Sequence, residues 1–291
     1  MQFLSYLISG LALGSIYAII ALGYTMVYGI AKMLNFAHGD VIMMGAFASY
    51  LVVHNFSVSG VIATLVAVIV CTLLGVLIER LAYKPLRQAP SLAVLITAIG
   101  VSYFLQNLAQ LLWGSAPKFY TSVVGDGKVS IGGINVTYVT IVTLLSCVLI
   151  MVVLTTFINK TKIGKAMRAC SEDKDAAQLM GISVDNTISI TFAIGSGLAA
   201  IAAVLLCSAY PTVYPTLGAM PGIKAFTAAV FGGIGSIPGA FIGGLLLGLL
   251  EIFSKAYIST QLSDAIVFAA LIIVLLIRPT GILGKKVNVK V

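Results

Sequence analysis

Apolar runs of about 20 residues, the length that crosses the hydrocarbon core of a bilayer, recur along almost the whole chain and restrict its fold more than any other feature. They fall at 3–30, 36–53, 59–78, 91–113, 137–158, 188–210, 220–234, 237–252 and 263–278. Inside a bilayer every backbone N–H and C=O must be satisfied within the protein, which leaves helices or closed barrels, and runs of this length point to helices. Charge agrees. Only 9% of the residues are Asp, Glu, Lys or Arg, against about 25% in a soluble domain, too few to coat a water-facing surface of this size. The expected fold is all-α: a single polytopic transmembrane helical bundle of about eight or nine hydrophobic elements spanning residues 1–291.

The net charge is +8. Nucleic-acid binders are often basic, but cytoplasmic Lys and Arg give a membrane protein the same excess. The apolar runs favour that second reading, with the lipid bilayer rather than nucleic acid as partner. Positive charge also decides how 220–252 is threaded. If the stretch breaks into two passes near Gly232-Gly233-Ile234-Gly235-Ser236-Ile237-Pro238-Gly239, then Lys32, the 79–87 loop, the 159–187 loop and the tail from Arg278 share one side, holding 13 of the 17 Lys and Arg. An unbroken pass leaves ten on that side. Pro238 and its neighbouring glycines also disfavour a continuous helix. The broken threading is expected, with the N-terminus periplasmic and the C-terminus cytoplasmic. Met1-Gln2-Phe3 lacks the basic segment of a cleaved signal peptide, so the first run is expected to persist as a helix. Cys71, Cys147 and Cys207 lie in apolar runs and Cys170 in a charged loop, with no Cys-x-x-Cys pair. They read as packed thiols rather than disulfides or metal ligands.

The chain also resembles itself. Gly10-Leu11-Ala12-Leu13-Gly14-Ser15-Ile16-Tyr17-Ala18, running on to Tyr24-Thr25-Met26-Val27-Tyr28-Gly29, is similar to Gly197-Leu198-Ala199-Ala200-Ile201-Ala202-Ala203, running on to Tyr210-Pro211-Thr212-Val213-Tyr214-Pro215. Leu73-Leu74-Gly75-Val76-Leu77-Ile78-Glu79 is similar to Leu246-Leu247-Gly248-Leu249-Leu250-Glu251. The expected organisation is a first repeat at 3–113, a linking span at 137–158, a cytoplasmic loop at 159–187 and a second, inverted repeat at 188–278. Inverted repeats with broken helices are a transporter pattern.

Polar groups within a bilayer are costly and mark sites. Asn35-Phe36-Ala37-His38-Gly39-Asp40 is the densest set. It reads equally as a loop ending in a helix start, with Asp40 on the helix dipole, or as a broken segment whose Asn35, His38, Asp40 and freed backbone face a translocation path. Gly232, Gly233 and Gly235 stand at the second break and offer backbone to the same path, whereas Gly243, Gly244 and Gly248 read as close helix packing. The matched breaks predict that Asn35 and His38 approach Gly232–Gly235. In the 159–187 loop, Ile163, Ala166, Met167 and Cys170 fall at helical spacing. Ser171 reads as an N-cap followed by Glu172 and Asp173. Ala176, Leu179 and Met180 then form an apolar face, and Gly181 stops the helix. Two helices this short need a surface to dock on. An ion-coupled transporter would want ionisable groups deep in its spans, and Asp40, Glu251 and Asp264 lie near element ends. An intramembrane enzyme would want paired carboxylates, a metal cluster or a nucleophile with a base, and the sequence shows none of these sets.

Gly164-Lys165-Ala166-Met167-Arg168-Ala169, with Ala176 and Leu179-Met180-Gly181-Ile182, resembles the ATPase-coupling loop of ABC importer permeases. Gly23-Tyr24-Thr25-Met26-Val27-Tyr28-Gly29, Asn35-Phe36-Ala37-His38-Gly39-Asp40 and Val230-Phe231-Gly232-Gly233-Ile234-Gly235-Ser236 with Pro238-Gly239-Ala240 look like the branched-chain amino acid permease family, first-permease type. The likeness covers essentially the whole chain. It implies a permease without catalytic residues, metal or cofactor, working in the bacterial inner membrane. Its implied partners are a second related permease, two cytoplasmic ATP-binding subunits and a periplasmic substrate-binding protein. ATP would be bound by those partners, since this chain has no Gly-x-x-x-x-Gly-Lys-Ser/Thr loop. The implied coupling residues are Gly164, Arg168, Glu172, Asp173, Ala176, Leu179, Met180 and Gly181. The implied substrates are leucine, isoleucine and valine, with urea, short amides or other amino acids carried by relatives.

Overall fold

The computed structural model describes residues 2–56, 58–125, 127–131 and 133–284. Lys285, Lys286 and Lys290, part of the positive-charge count, lie outside the described residues. The apolar runs become helices α1 (Gln2–Ala31), α2 (His38–Phe56), α3 (Gly60–Ile78), α4 (Ser91–Trp113) and α5 (Tyr138–Lys160), then the short α6 (Lys162–Glu172) and α7 (Lys174–Leu179), then α8 (Val184–Ala209), α9 (Ala219–Gly232), α10 (Ile237–Tyr257) and α11 (Ser263–Ile277). Six of the described helices, α1, α3, α4, α5, α8 and α10, are long and apolar enough to cross a bilayer. The chain is a polytopic helical bundle.

Small residues set the packing. α1 runs antiparallel to α10, with Gly10 against Leu249, Gly14 against Leu245 and Gly29 against Gly235. A Cβ on Gly248 would lie 2.2 Å from the Cα of Gly14, so only hydrogen atoms fit between these backbones. Without a hydrophobic drive between helices in lipid, such close backbone approach is what holds them together. α8 meets α3 in the same antiparallel way, with Ser196 against Gly75 and Gly197 beside Thr72. α2 packs on α3 and α8, and α9 packs on α10 and α1. The pattern is preserved when the first-half helices are exchanged for their second-half counterparts.

The stretch 219–257 is two antiparallel helices. Gly233 and Gly235 have φ of 107° and 92°, Ser236 Oγ accepts from the Gly239 N–H, and Pro238 stands in the first turn of α10. The chain reverses there because these residues favour a turn over a continued helix. Ile282 and Leu283 donate backbone N–H groups to the last carbonyls of α9, at Phe231 and Gly232. The end of the described chain therefore shares a face with this turn, with Lys32 and with α6–α7, and Gln2 lies at the opposite face.

Two features departed from the run of spans. α3 continues through a π-helical turn (Glu79–Tyr83) and a 3-10 turn (Lys84–Leu86). The Gly-rich stretch after α4 holds β1 (Lys118–Phe119) and the hairpin β2 (Lys128–Ile131) and β3 (Ile134–Thr137). β1 pairs antiparallel with β4 (Thr212–Val213), which ties the opposite-face loops of the two halves together. Tyr120, just after β1, is buried and shares a 2.6 Å hydrogen bond with Ser49.

Replacing Gly248 by Val should cost about 1–3 kcal/mol through forced backbone separation. Gly100→Ala, with nothing within 4 Å of the added carbon, should cost nothing measurable. Thermal unfolding of the two variants in detergent distinguishes them, and equal melting temperatures would contradict this packing.

Candidate functional site

The chain leaves α1 at Ala31, turns through Lys32, and re-enters the bundle. Lys32 has φ 58°, a left-handed conformation rare outside glycine, and its N–H returns to Tyr28 O. At the end of the re-entry His38 packs on Gly23, where a Cβ would lie 2.8 Å from the imidazole Nε2. Gly23 is eight residues from the end of α1, about 12 Å of helix. It also lies beside Gly195, near the middle of α8. α2 therefore starts deep within the bundle. The backbone N–H groups of Met33, Leu34, Asn35, Phe36 and Ala37 find no acceptor among the described residues.

The second half does the same from the other face. After β4 the chain descends through Tyr214–Gly218 and begins α9 beside the start of α2. Gly39 and Gly218 meet so closely that a Cβ on Gly218 would lie 1.7 Å from Gly39 O, and Gly222 lies against Gly39 Cα. Two helix N-termini, one from each half, thus abut at mid-depth. Tyr24 and His38 stack edge-on at 4.6 Å, and Tyr24 and Phe36 both contact the ring of Phe226.

Each polar residue of the first segment has its own setting. Asn35 is buried and its Oδ1 accepts from Tyr83 Oη at 2.9 Å. Asp40 is buried in the first turn of α2 and accepts from Gln106 Nε2 of α4 at 2.9 Å. His38 is buried with its Nε2 unpartnered among the described residues. Gly232, Gly233 and Gly235 are not brought to this junction. Ten residues of helix, about 15 Å, separate Gly232 from Gly222. Gly232 packs on Gly239, Gly233 on Gly284, and Gly235 beside Gly29. The residues facing the Asn35–Asp40 segment come instead from Tyr214–Gly222, which falls mostly between the expected spans 188–210 and 220–234.

On the face holding Lys32, α6 and α7 form an ordered elbow. Thr161 caps α6 through the Gly164 N–H, and Gly164 touches the backbone of Ile158, where no larger residue fits. Met167 and Cys170 are buried, whereas Arg168 is exposed and reaches Asn159. α6 extends through Ser171 and Glu172, and Ser171 Oγ bonds back to Arg168 O. The cap of α7 is Asp173, not Ser171, because its carboxylate takes two N–H groups, from Asp175 and Ala176. Ala177 is buried, Ala176 is exposed, and Gly181 ends the turn at φ 81°. Leu179 and Met180 stand 89% and 82% exposed on that turn. Lys174 donates to Ala31 O at 2.7 Å, placing a cation on the C-terminal carbonyls of α1. Burial, then Arg87 and Lys32, lower the pKa of its ammonium. Nearby, Arg87 pairs with both Glu79 and Asp185, and Ser189 donates to Glu79 at 2.6 Å, so the end of α3 is fastened to the start of α8.

A helical membrane bundle whose two halves each send a broken segment to a shared mid-depth junction is the architecture of a transport permease. The family described as branched-chain amino acid transport system permease component matches residues 6–275, and the chain belongs to it. It is 46% identical to LivH, a high-affinity branched-chain amino acid transport system permease protein of Escherichia coli K12, over 98% of this chain and 96% of LivH. It is 45% identical to BraD of Pseudomonas aeruginosa, described in the same terms, with the same two coverages. Among solved structures, a chain of PsaBC from Streptococcus pneumoniae in complex with Fab shares the fold at a TM-score of 0.51 and 15% identity, covering 94% of this chain and 91% of that one.

Tyr83→Phe should lower stability by about 1–3 kcal/mol, the cost of leaving the Asn35 carbonyl buried without a donor. Tyr103→Phe, on a side chain 62% exposed, should leave it unchanged. Parallel melting curves that coincide for both variants would argue against the buried Tyr83–Asn35 bond.

Proposed function

We propose that this chain is one membrane-spanning subunit of an ATP-driven importer that carries branched-chain amino acids across the bacterial inner membrane. The α6–α7 elbow carries the reading. Its ends are capped, one side is packed on the bundle, and the exposed Leu179 and Met180 project from it. An apolar pair held out on a rigid turn, among Arg168, Glu172, Asp173 and Asp175, is the chemistry of a docking knob with a polar rim. Its occupant is a cytoplasmic ATP-binding subunit, one of two in the assembly, and this face is therefore cytoplasmic, with the N-terminus periplasmic. Motion of the elbow reaches the transport path directly, since Lys174 grips the end of α1 from which the re-entrant segment departs.

The path runs by the junction of α2 and α9, with Asn35, His38 and Asp40 on its first side and Gly232, Gly233 and Gly235 at the turn on its cytoplasmic end. Backbone N–H groups without acceptors are tolerated at membrane depth only against water or another protein. The Met33–Ala37 groups fit both, with a second permease covering the face that carries Phe36, Met220 and Ile223. Relatives described as high-affinity branched-chain amino acid permeases support leucine, isoleucine and valine as substrates. A periplasmic binding protein would deliver them.

Leu179→Asp places an unpaired charge in the proposed contact, at a cost of several kcal/mol. The variant should reach the membrane in normal amount, fail to bring the ATP-binding subunits through purification, and lose leucine uptake. Normal assembly and uptake would exclude the elbow as the docking site.

A further inference from the structure

The opposite half of the bundle holds a buried ionic cluster outside the residues that line the proposed path. Lys224, in the second turn of α9, is 6% exposed, yet its Nζ lies 2.9 Å from Glu251 Oε1 on α10 and 2.7 Å from Asp264 Oδ1 at the start of α11. Glu251 is 2% exposed and also holds Lys255, while Tyr17 Oη of α1 donates to its Oε2 at 2.8 Å. Two cations and two carboxylates balance, and four helices meet in the cluster. Asp264 and Lys255 have side chains 42% and 35% exposed, so the cluster opens to water at one edge.

Such a cluster is an expensive way to hold helices. Two charges taken out of water lose hydration that their attraction only partly returns, and apolar residues of similar volume often hold a fold as well or better. Its value lies in being able to come apart, because separated charges can rehydrate at the wet edge whereas an apolar contact has no such alternative. The position fits that use. Lys224 stands two residues, about half a helical turn, beyond Gly222, which seats α9 against Gly39 of α2. Whatever holds Lys224 to α10 and α11 therefore fixes how the 14-residue half-helix meets its partner.

We infer that Lys224 is a positioning residue for transport: with Glu251 and Asp264 it forms a latch that holds α9 shut against α2, and the latch must open in each cycle. This rests on the importer reading above. The test uses the assembled transporter with its ATP-binding subunits. Lys224→Met/Glu251→Leu replaces the buried pair by apolar residues and leaves Lys255 and Asp264 at their wet edge. Its melting temperature should equal or exceed the parent's while leucine uptake falls about tenfold or more. Uptake within about twofold of the parent would overturn the latch. If that variant fails to assemble, Asp264→Asn decides, since it weakens the latch without stranding a buried charge. Hydrolysis of ATP without substrate should then rise severalfold, and unchanged hydrolysis would overturn the latch. A parent complex that takes up no leucine would instead count against the substrate, and the hydrolysis comparison stands without one.

Discussion

A backbone that leaves its helix inside a bilayer must be covered by something other than lipid, and the arrangement of this chain follows from doing so twice. The segments 32–37 and 214–218 enter from opposite faces and end at the same depth. Each stops where a helix N-terminus begins, and glycines let the two termini touch. Gly39 and Gly218 are within backbone contact, and α1 and α8 flank them with Gly23 against Gly195. Each half therefore covers part of the other's broken segment, with Gly218 and Gly222 lying against Gly39.

The same pairing gives the molecule two ends with separate fastenings. At one face Glu79, Arg87, Asp185 and Ser189 bind the end of α3 to the start of α8. At the other, Glu251, Lys224 and Tyr17 join α10, α9 and α1. In each case a buried glutamate closing an apolar helix takes a hydroxyl from the leading helix of the other half. Between the two fastenings glycines such as Gly14, Gly23, Gly195 and Gly248 bring helix backbones into close contact. Lys174 connects this frame to the elbow below.

The spans, the break at 233–236 and the short loop helices were legible because each has a local cause: apolar length, positive-φ glycines beside Pro238, and helical spacing with a glycine stop. The Asn35–Asp40 segment stood out because polar residues are rare in such a chain. Its partner did not. Tyr210-Pro211-Thr212-Val213-Tyr214-Pro215 carries the proline signal of a non-helical stretch, but its re-entry depends on what it packs against, and sequence does not carry that. Lys224 carries no local signal of its role, since its partners Glu251 and Asp264 are 27 and 40 residues away. Ser171 lost the cap to Asp173 because α6 runs on through Glu172 and Asp173 accepts the first N–H groups of α7.

Water beside the two re-entrant segments is the most direct consequence of the account. Single cysteines at Leu34 and Thr216, in a chain whose four native cysteines are replaced, can be offered a membrane-impermeant thiol reagent in the assembled transporter. Both sites should react, and the rate at each should change when ATP is bound. Reaction only with a lipid-soluble reagent, in every nucleotide state, would place both segments against lipid and contradict the shared, water-lined junction.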